Sequence, residues 1–584
     1  MPCSFLRASY GGRTVRENEG WLALGKAGIS NGLTGVILGL QHATVLVSEK
    51  PVFTDVSSFR NRNQLGINAP ASICFWKAAR ARRHLSLVRK DPLMPQMNEC
   101  APICLVFDNE VPQTIRPRIS YAFRVYAAIY GHPVVENDSE PMPGTLRIIY
   151  GRRSPGMNGS REVRIPWLYR VPPKEREIPS LAHYRFSEED FYLSHGVDTQ
   201  SGNPDWLGEI FEWLSSSYEM PITRRDGIGR IPYSEMVFSR NGISPRKPHA
   251  LLLMAWMENH LRHGNSLEFL PRAPSPLTSS QHFVVCSHDI DFYYSDWGSA
   301  FVRLIKNLGI SYHPYRSWSY FRSNVKMISD IARGKRVGDY LPQLIEAGKE
   351  RDFSSTLFVV ADRTHRRDPV YGLKQITPRL FEASEAGFRV GLHGSYQSVV
   401  TSIELAGEAA MLENATGRKT QGSRQHWLRF DKHEKLFSSV ERAQFQFDSS
   451  LGFAETVGFR NAACFAFPPY DFANERPHDF LEIPLVLMDG ALEAAARMLR
   501  KEPQEIADSV LGESRKWGWG GIAALWHNPI EPLQVPAEIN RVFWKCVSES
   551  RGAEERWLSA EEFLELSLSR YQSAGLLKGV RLGP

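Results

Sequence analysis

Apolar positions recur at two spacings along this chain, and the elements they predict fall into two groups. From about residue 100, short apolar runs at Ile103–Phe107 and Thr145–Tyr150 predict strands, and Tyr121–Tyr130 is patterned as a helix. Trp206, Ile210, Phe211 and Leu214 recur at helical spacing, and Ala250–Leu261 reads as a strongly apolar helix. These elements predict a mixed α/β domain over residues 97–270. Three prolines and three serines in Pro271–Ser280 then predict a linker.

Beyond that linker strands and helices alternate. Strands are predicted at Phe283–Val285, Leu357–Val360, Phe388–Leu392, Gln444–Phe447, Leu481–Met488 and Ile522–Trp526, with helices at Ser299–Leu308, Pro378–Ala386 and Ser402–Asn414. Such βα units predict a parallel barrel or doubly wound sheet over residues 281–575, with chemistry at the C-terminal ends of its strands.

Composition and charge narrow the picture. A chain of 584 residues exceeds what one core usually supports, so two or three domains are expected. With 42% hydrophobic and 23% charged residues it is neither disordered nor collagen-like. Near the N-terminus the longest apolar stretch, Leu33–Leu40, falls far short of the ~20 residues that cross a bilayer. Met1–Arg16 carries scattered arginines and no apolar block, so no export signal is read and a cytoplasmic location is expected. The seven widely spaced cysteines fit a reducing compartment, and Cys100 and Cys104, a lone pair, read as ordinary thiols and not as a zinc site. The net charge is +6, yet residues 1–96 hold 13 Lys and Arg against 5 Asp and Glu, without a sustained helical or strand period. That stretch is expected to be a poorly ordered extension, or sequence upstream of a start at Met94 or Met97, and not a nucleic-acid-binding arm.

The residues after the strands carry the candidate chemistry. In Ser287-His288-Asp289-Ile290-Asp291 the strand period puts Asp289 and Asp291 on one face and turns His288 away. Two adjacent carboxylates repel unless a dication or a shared proton intervenes. His393 ends another strand; Arg424 and His426 share a face if Gly422–Leu428 is extended; Asp448 opens Asp-Ser-Ser; His527 precedes Asn528-Pro529. Each alone reads equally as a cap, turn or core residue. Together they supply oxygen and nitrogen ligands for a divalent metal, a base, a guanidinium to orient it, and an acid.

In this order, Asp289-Ile-Asp291, Gly-Leu-His393-Gly-Ser395, Gly-Ser-Arg424-Gln-His426, Phe-Asp448-Ser-Ser and Leu-Trp-His527 resemble the polysaccharide deacetylase superfamily (NodB homology, carbohydrate esterase family four) over residues 281–545. Asp205-Trp-Leu-Gly-Glu-Ile-Phe-Glu and Arg225-Asp-Gly-Ile-Gly-Arg230 resemble an uncharacterised domain found upstream of such barrels. The resemblance implies a distorted, incomplete β/α barrel behind a mixed α/β domain, and removal of N-acetyl, less often O-acetyl, groups from a carbohydrate. It implies a bound divalent metal, zinc with cobalt or nickel as alternatives. It assigns Asp289 as base, Asp291 and His393 as metal ligands, Arg424 as the group holding Asp289, and His527 as acid toward the leaving amine.

The family's second histidine ligand corresponds to Gln397 here, and an amide oxygen is a poor replacement for imidazole. His426 is expected in its place, with His288 a second choice. Asp448 is expected to orient a partner or shape the pocket, and an amide near Tyr396 to face the oxyanion. Trp427, Tyr396 and Trp526 are the expected sugar contacts, with Phe430 and Tyr470 as further stacking candidates, and core packing is the competing expectation for Trp526, Phe430 and Tyr470. Two rival readings remain, an amidohydrolase of a small non-sugar amide or ureide and a non-catalytic carbohydrate-binding barrel; the second draws on Gln397. Oligomeric state has no signature in the sequence.

Overall fold

The computed structural model describes residues 102–578 apart from 137–143, 153–161, 171–177, 187, 264–280, 294–324, 326–328, 331, 335–337, 402–403, 532–534 and 551–554. The N-terminal extension, the linker and the helix expected at Ser299–Leu308 therefore lie outside the described residues. Upstream, strands β1 (Ile103–Phe107), β2 (Leu146–Gly151) and β3 (Glu162–Pro166) form a parallel sheet in that order. Helix α1 (Arg116–Tyr130) carries a proline in its first turn and stops at Gly131, whose φ of 78° suits a residue without Cβ. A hairpin of β4 (Ala182–Phe186) and β5 (Glu189–Leu193) follows, then α2 (Trp206–Leu214) and α3 (His249–His263). Buried Asp205 fastens this region: it caps α2 by accepting from Gly208 N–H at 2.9 Å, and also accepts from Tyr150 Oη, Leu168 N–H and Tyr169 N–H.

The second sheet is built from β6 (His282–Asp289), β7 (Thr356–Val359), β8 (Arg389–Gly394), β9 (Gly422–Gln425) and β10 (Phe447–Asp448), with a small hairpin of β11 (Tyr470–Asp471) and β12 (Arg476–Pro477) set apart. It is completed by β13 (Leu481–Glu482), β14 (Leu485–Met488), β15 (Gly520–Leu525) and β16 (Glu555–Leu558). Its order is β13-β10-β9-β8-β7-β6-β15-β14, all parallel, with β16 along the first half of β6. The strands at its two ends, β13 and β14, are consecutive in the chain and separated only by Ile483 and Pro484, so the sheet must curl round. This is a distorted, incomplete β/α barrel, and β6 is buried along its whole length at the centre. One continuous hydrophobic core joins the upstream elements to it. Tyr121 Oη donates to Pro468 O at 2.8 Å, and Arg460 pairs with Glu219 at 2.6 Å across the same boundary.

Three expectations shift for physical reasons. The segment expected as one strand over Leu481–Met488 is two, because Pro484 has no N–H to give the ladder. The helix expected from Pro378 begins at Leu373 and keeps Pro378 inside, with Ile376 fully buried, so packing outweighs the proline. The extended run expected to reach Leu428 ends at Gln425, where a short 3-10 turn, His426–Leu428, takes over.

Candidate metal centre and active site

Because β6 alternates and then ends, Asp289 and Asp291 arrive on the same face at the C-terminal edge of the sheet, with Asp291 N–H bonded to Asp289 O at 3.0 Å. β8 delivers His393 beside them. Its Nδ1 is 2.9 Å from Arg424 O, and a carbonyl only accepts, so Nδ1 carries the proton and Nε2 keeps its lone pair. His426 follows β9, and its Nδ1 donates to Asp368 Oδ1 at 3.0 Å, which likewise frees Nε2. His393 Nε2 lies 3.5 Å from Asp291 Oδ1, and His426 Nε2 lies 3.5 Å from Asp291 Oδ2.

Those separations carry the fit to a metal. Two ligands each about 2.0–2.1 Å from a tetrahedral cation stand about 3.3 Å apart. Asp291 Oδ1 is a buried oxygen without a hydrogen-bond partner among the described residues. Asp291, His393 and His426 place one ligand atom each within 4.8 Å of one another, and Gln397 lies in the turn after β8. Burial alone would raise the Asp291 carboxyl, but His426 and His393 hold it well below the usual carboxylate range. Burial opposes a charge on His426, and Asp291 and Asp368 outweigh it, pushing the imidazole up to about 9, so without a cation Nε2 holds a proton at neutral pH that a bound metal would displace.

Arg424, fully buried on β9, uses four of its five N–H groups: Nη1 donates to Asp289 Oδ1 at 2.8 Å and Ser287 Oγ at 2.9 Å, Nε to Ser449 O, and Nη2 to Ser449 Oγ. Its plane rests on the Phe358 ring at 4.3 Å. Asp289 is thereby held at one oxygen, and its other oxygen stands 3.6 Å from His393 Nε2. His527, just past β15, donates from Nδ1 to Asp489 Oδ1 at 2.8 Å and points Nε2 at Asp291 Oδ2, 3.6 Å away. Burial works against its charge, yet Asp489 and then Asp291 push it up to about 10.

Among solved structures, the chain is similar to a family 4 carbohydrate esterase from Streptomyces lividans, at 11% identity over 47% of this chain and 91% of that one, with a TM-score of 0.24. It is similar to the peptidoglycan deacetylase PdaC from Bacillus subtilis, at 9% identity over 50% of this chain and 93% of that one, with a TM-score of 0.24. It is also similar to BA3943 from Bacillus anthracis, a CE4 family pseudoenzyme, at 14% identity over 53% of this chain and 81% of that one, with a TM-score of 0.24. No family model matches this chain, and no curated protein does.

Not every residue singled out in the sequence reaches the cluster. Asp448 sits on the opposite face of its strand from Ser449, where it accepts from Ser423 Oγ and Ser450 N–H and lies against buried Glu482. Trp526 is fully buried, with its indole N–H on Ile539 O, which removes it from contact with a sugar. The Tyr396 amide is already given to Asp368 Oδ1 at 2.7 Å, so it is not open to an oxyanion. His288 is turned into the core with Nδ1 on Trp526 O. Trp427, by contrast, is 43% exposed beside His426, on a backbone with φ of 64° that an L residue rarely adopts. That turn lets His426 face Asp291 while the next ring faces out.

Two carboxylates were not foreseen. Asp489 follows the strand expected to end at Met488, so the same strand-end signal was present there. Asp368 lies further into the loop after β7 and has no comparable mark in the sequence.

Proposed function

We propose that the protein is a metal-dependent hydrolase that removes the acetyl group from an N-acetyl sugar of a polysaccharide or glycan precursor. The observation that carries this reading is the side-by-side placement of three groups. A three-ligand cluster (Asp291, His393, His426) stands next to an arginine-held carboxylate (Asp289) and a carboxylate-held imidazole (His527).

A divalent cation at the cluster would polarise the acetyl carbonyl and acidify water. Asp289, held by Arg424, takes the proton from the attacking water through its free oxygen. His527, protonated at neutral pH because Asp489 faces Nδ1, gives the proton from Nε2 to the departing amine. Asp368 keeps His426 in the tautomer that offers Nε2 outward. The exposed Trp427 ring gives a sugar face something to stack on, which favours a carbohydrate over a small ureide.

The test is acetate release from N-acetylated chito-oligosaccharides and from small amides, with zinc, cobalt or nickel added. Release from the sugars that drops by at least ~10²-fold in Asp289→Asn supports the reading. Release from small amides alone moves it to the amidohydrolase reading, and binding without release in every case leaves the carbohydrate-binding one.

A further inference from the structure

Around Tyr396, in the loop after β8, three further segments meet beside His426: the loop after β7, the loop after β9, and residues 222–231 from the upstream region. The third is a built turn, in which Asp226 Oδ1 accepts from Ile228 N–H and Arg230 N–H at 2.9 Å each and Oδ2 accepts from Arg230 Nε. It is tied to the barrel where Arg429 Nε donates to Ile228 O at 2.7 Å and Arg225 Nη2 donates to Asp431 O at 2.8 Å. Gly229, with φ of 98°, allows this approach: a Cβ there would stand 3.3 Å from Arg429 Nε.

Two guanidinium groups lie against the Tyr396 ring at this junction. The Arg429 group is 4.3 Å from the ring centroid and the Arg367 group 5.2 Å, with Arg367 Nη1 donating to Tyr396 Oη at 2.7 Å. Among the described residues neither faces a carboxylate; carbonyls, a phenol and a ring are what meets them. Elsewhere around the same face, Arg230, Arg424 and Arg460 each pair with an acid. Half-buried cations without counter-charge are costly, and a planar guanidinium with donors to spare is suited to a carboxylate or phosphate. The place is also close to the chemistry, since Tyr396 N–H and His426 Nδ1 share the same oxygen of Asp368.

We propose that Arg367 and Arg429 form an anion subsite beside the metal cluster, and that the N-acetyl sugar this protein takes carries a phosphate or carboxylate on the same or a neighbouring unit. The assignment deepens the hydrolase reading above and rests on it for the acetylated sugar. It is tested by calorimetric binding to the full chain, which needs no turnover. The probes are N-acetylglucosamine, N-acetylglucosamine 1-phosphate, inorganic phosphate and glucuronate.

The phosphorylated sugar should bind about tenfold tighter than the neutral one at low salt, and the gap should close in about 0.5 M salt and in Arg367→Gln. Arg429→Lys keeps a cation and should retain part of the gap, which separates loss of charge from loss of fold. The inorganic phosphate and glucuronate arms tell which anion is preferred. Equal binding of neutral and charged sugars, or a gap that survives both Arg367→Gln and Arg429→Gln, overturns the subsite. A gap without acetate release from any sugar would instead count against the hydrolase and leave the subsite standing.

Discussion

His426 Nδ1 is 3.0 Å from Asp368 Oδ1, so a carboxylate from the loop after β7 fixes the ring of a histidine from the loop after β9. A ligand drawn from an unfamiliar position needs such support, because an unheld imidazole loses entropy when it coordinates. Elemental analysis should find about one metal per chain in the wild type and in Gln397→Ala, and a stoichiometric loss in His426→Ala. Asp368→Asn should weaken metal affinity by about 10- to 100-fold while His426 remains in place.

Asp489 acts on the acid through His527. Replacing it by Asn removes the charge that raises the imidazole, so less His527 is protonated at any alkaline pH. We expect kcat/KM to fall by about 10²-fold or more, with the alkaline limb of the pH profile moved to lower pH. A profile that keeps its limb while only the amplitude drops would show that Asp489 merely supports the fold.

Arg424 and Asp289 form a pair inside the barrel, with side-chain exposures of 0% and 4%. Removing one partner strands the other, so Arg424→Met should cost about 3–5 kcal/mol of stability in urea unfolding. The double variant Asp289→Asn with Arg424→Met should recover part of that loss, and a double-mutant cycle without coupling would contradict the pairing.

Glu555 predicts how the fold responds to acid. It begins β16 and accepts from Arg515 Nε at 2.7 Å, with His282 Nδ1 2.8 Å away. Burial would raise its pKa, but the hydrogen bonds from His282 and Arg515 and the charge of Arg515 lower it from 4.5 to about 2. A carboxyl lowered on folding stabilises above its unfolded pKa, and the contribution disappears as pH falls from about 4.5 through about 2. The shift corresponds to about 3 kcal/mol at neutral pH. Urea unfolding should therefore show Glu555→Gln well below the wild type at pH 7 and close to it near pH 2.

Local pattern was enough for much of this protein. Apolar runs and their spacing mark β1, β6, β7, β8 and β15 within a few residues, because strands of a parallel sheet covered on both faces read as near-continuous apolar runs. The strand-end rule reached Asp289, Asp291, His393, Arg424 and His527, since a parallel βα sheet sends those positions to one edge. What lay beyond the sequence depended on contacts between distant segments. Trp526 at its strand end reads as a sugar contact or as core in the chain, and the fold makes it core, because α-helical Phe543 and the Ile539 carbonyl close over it. Asp368, Asp489 and the Arg367–Tyr396–Arg429 junction come together only when loops from separate strands are folded onto one face. No local period encodes that meeting, and only the tertiary structure decides which carboxylate faces which histidine.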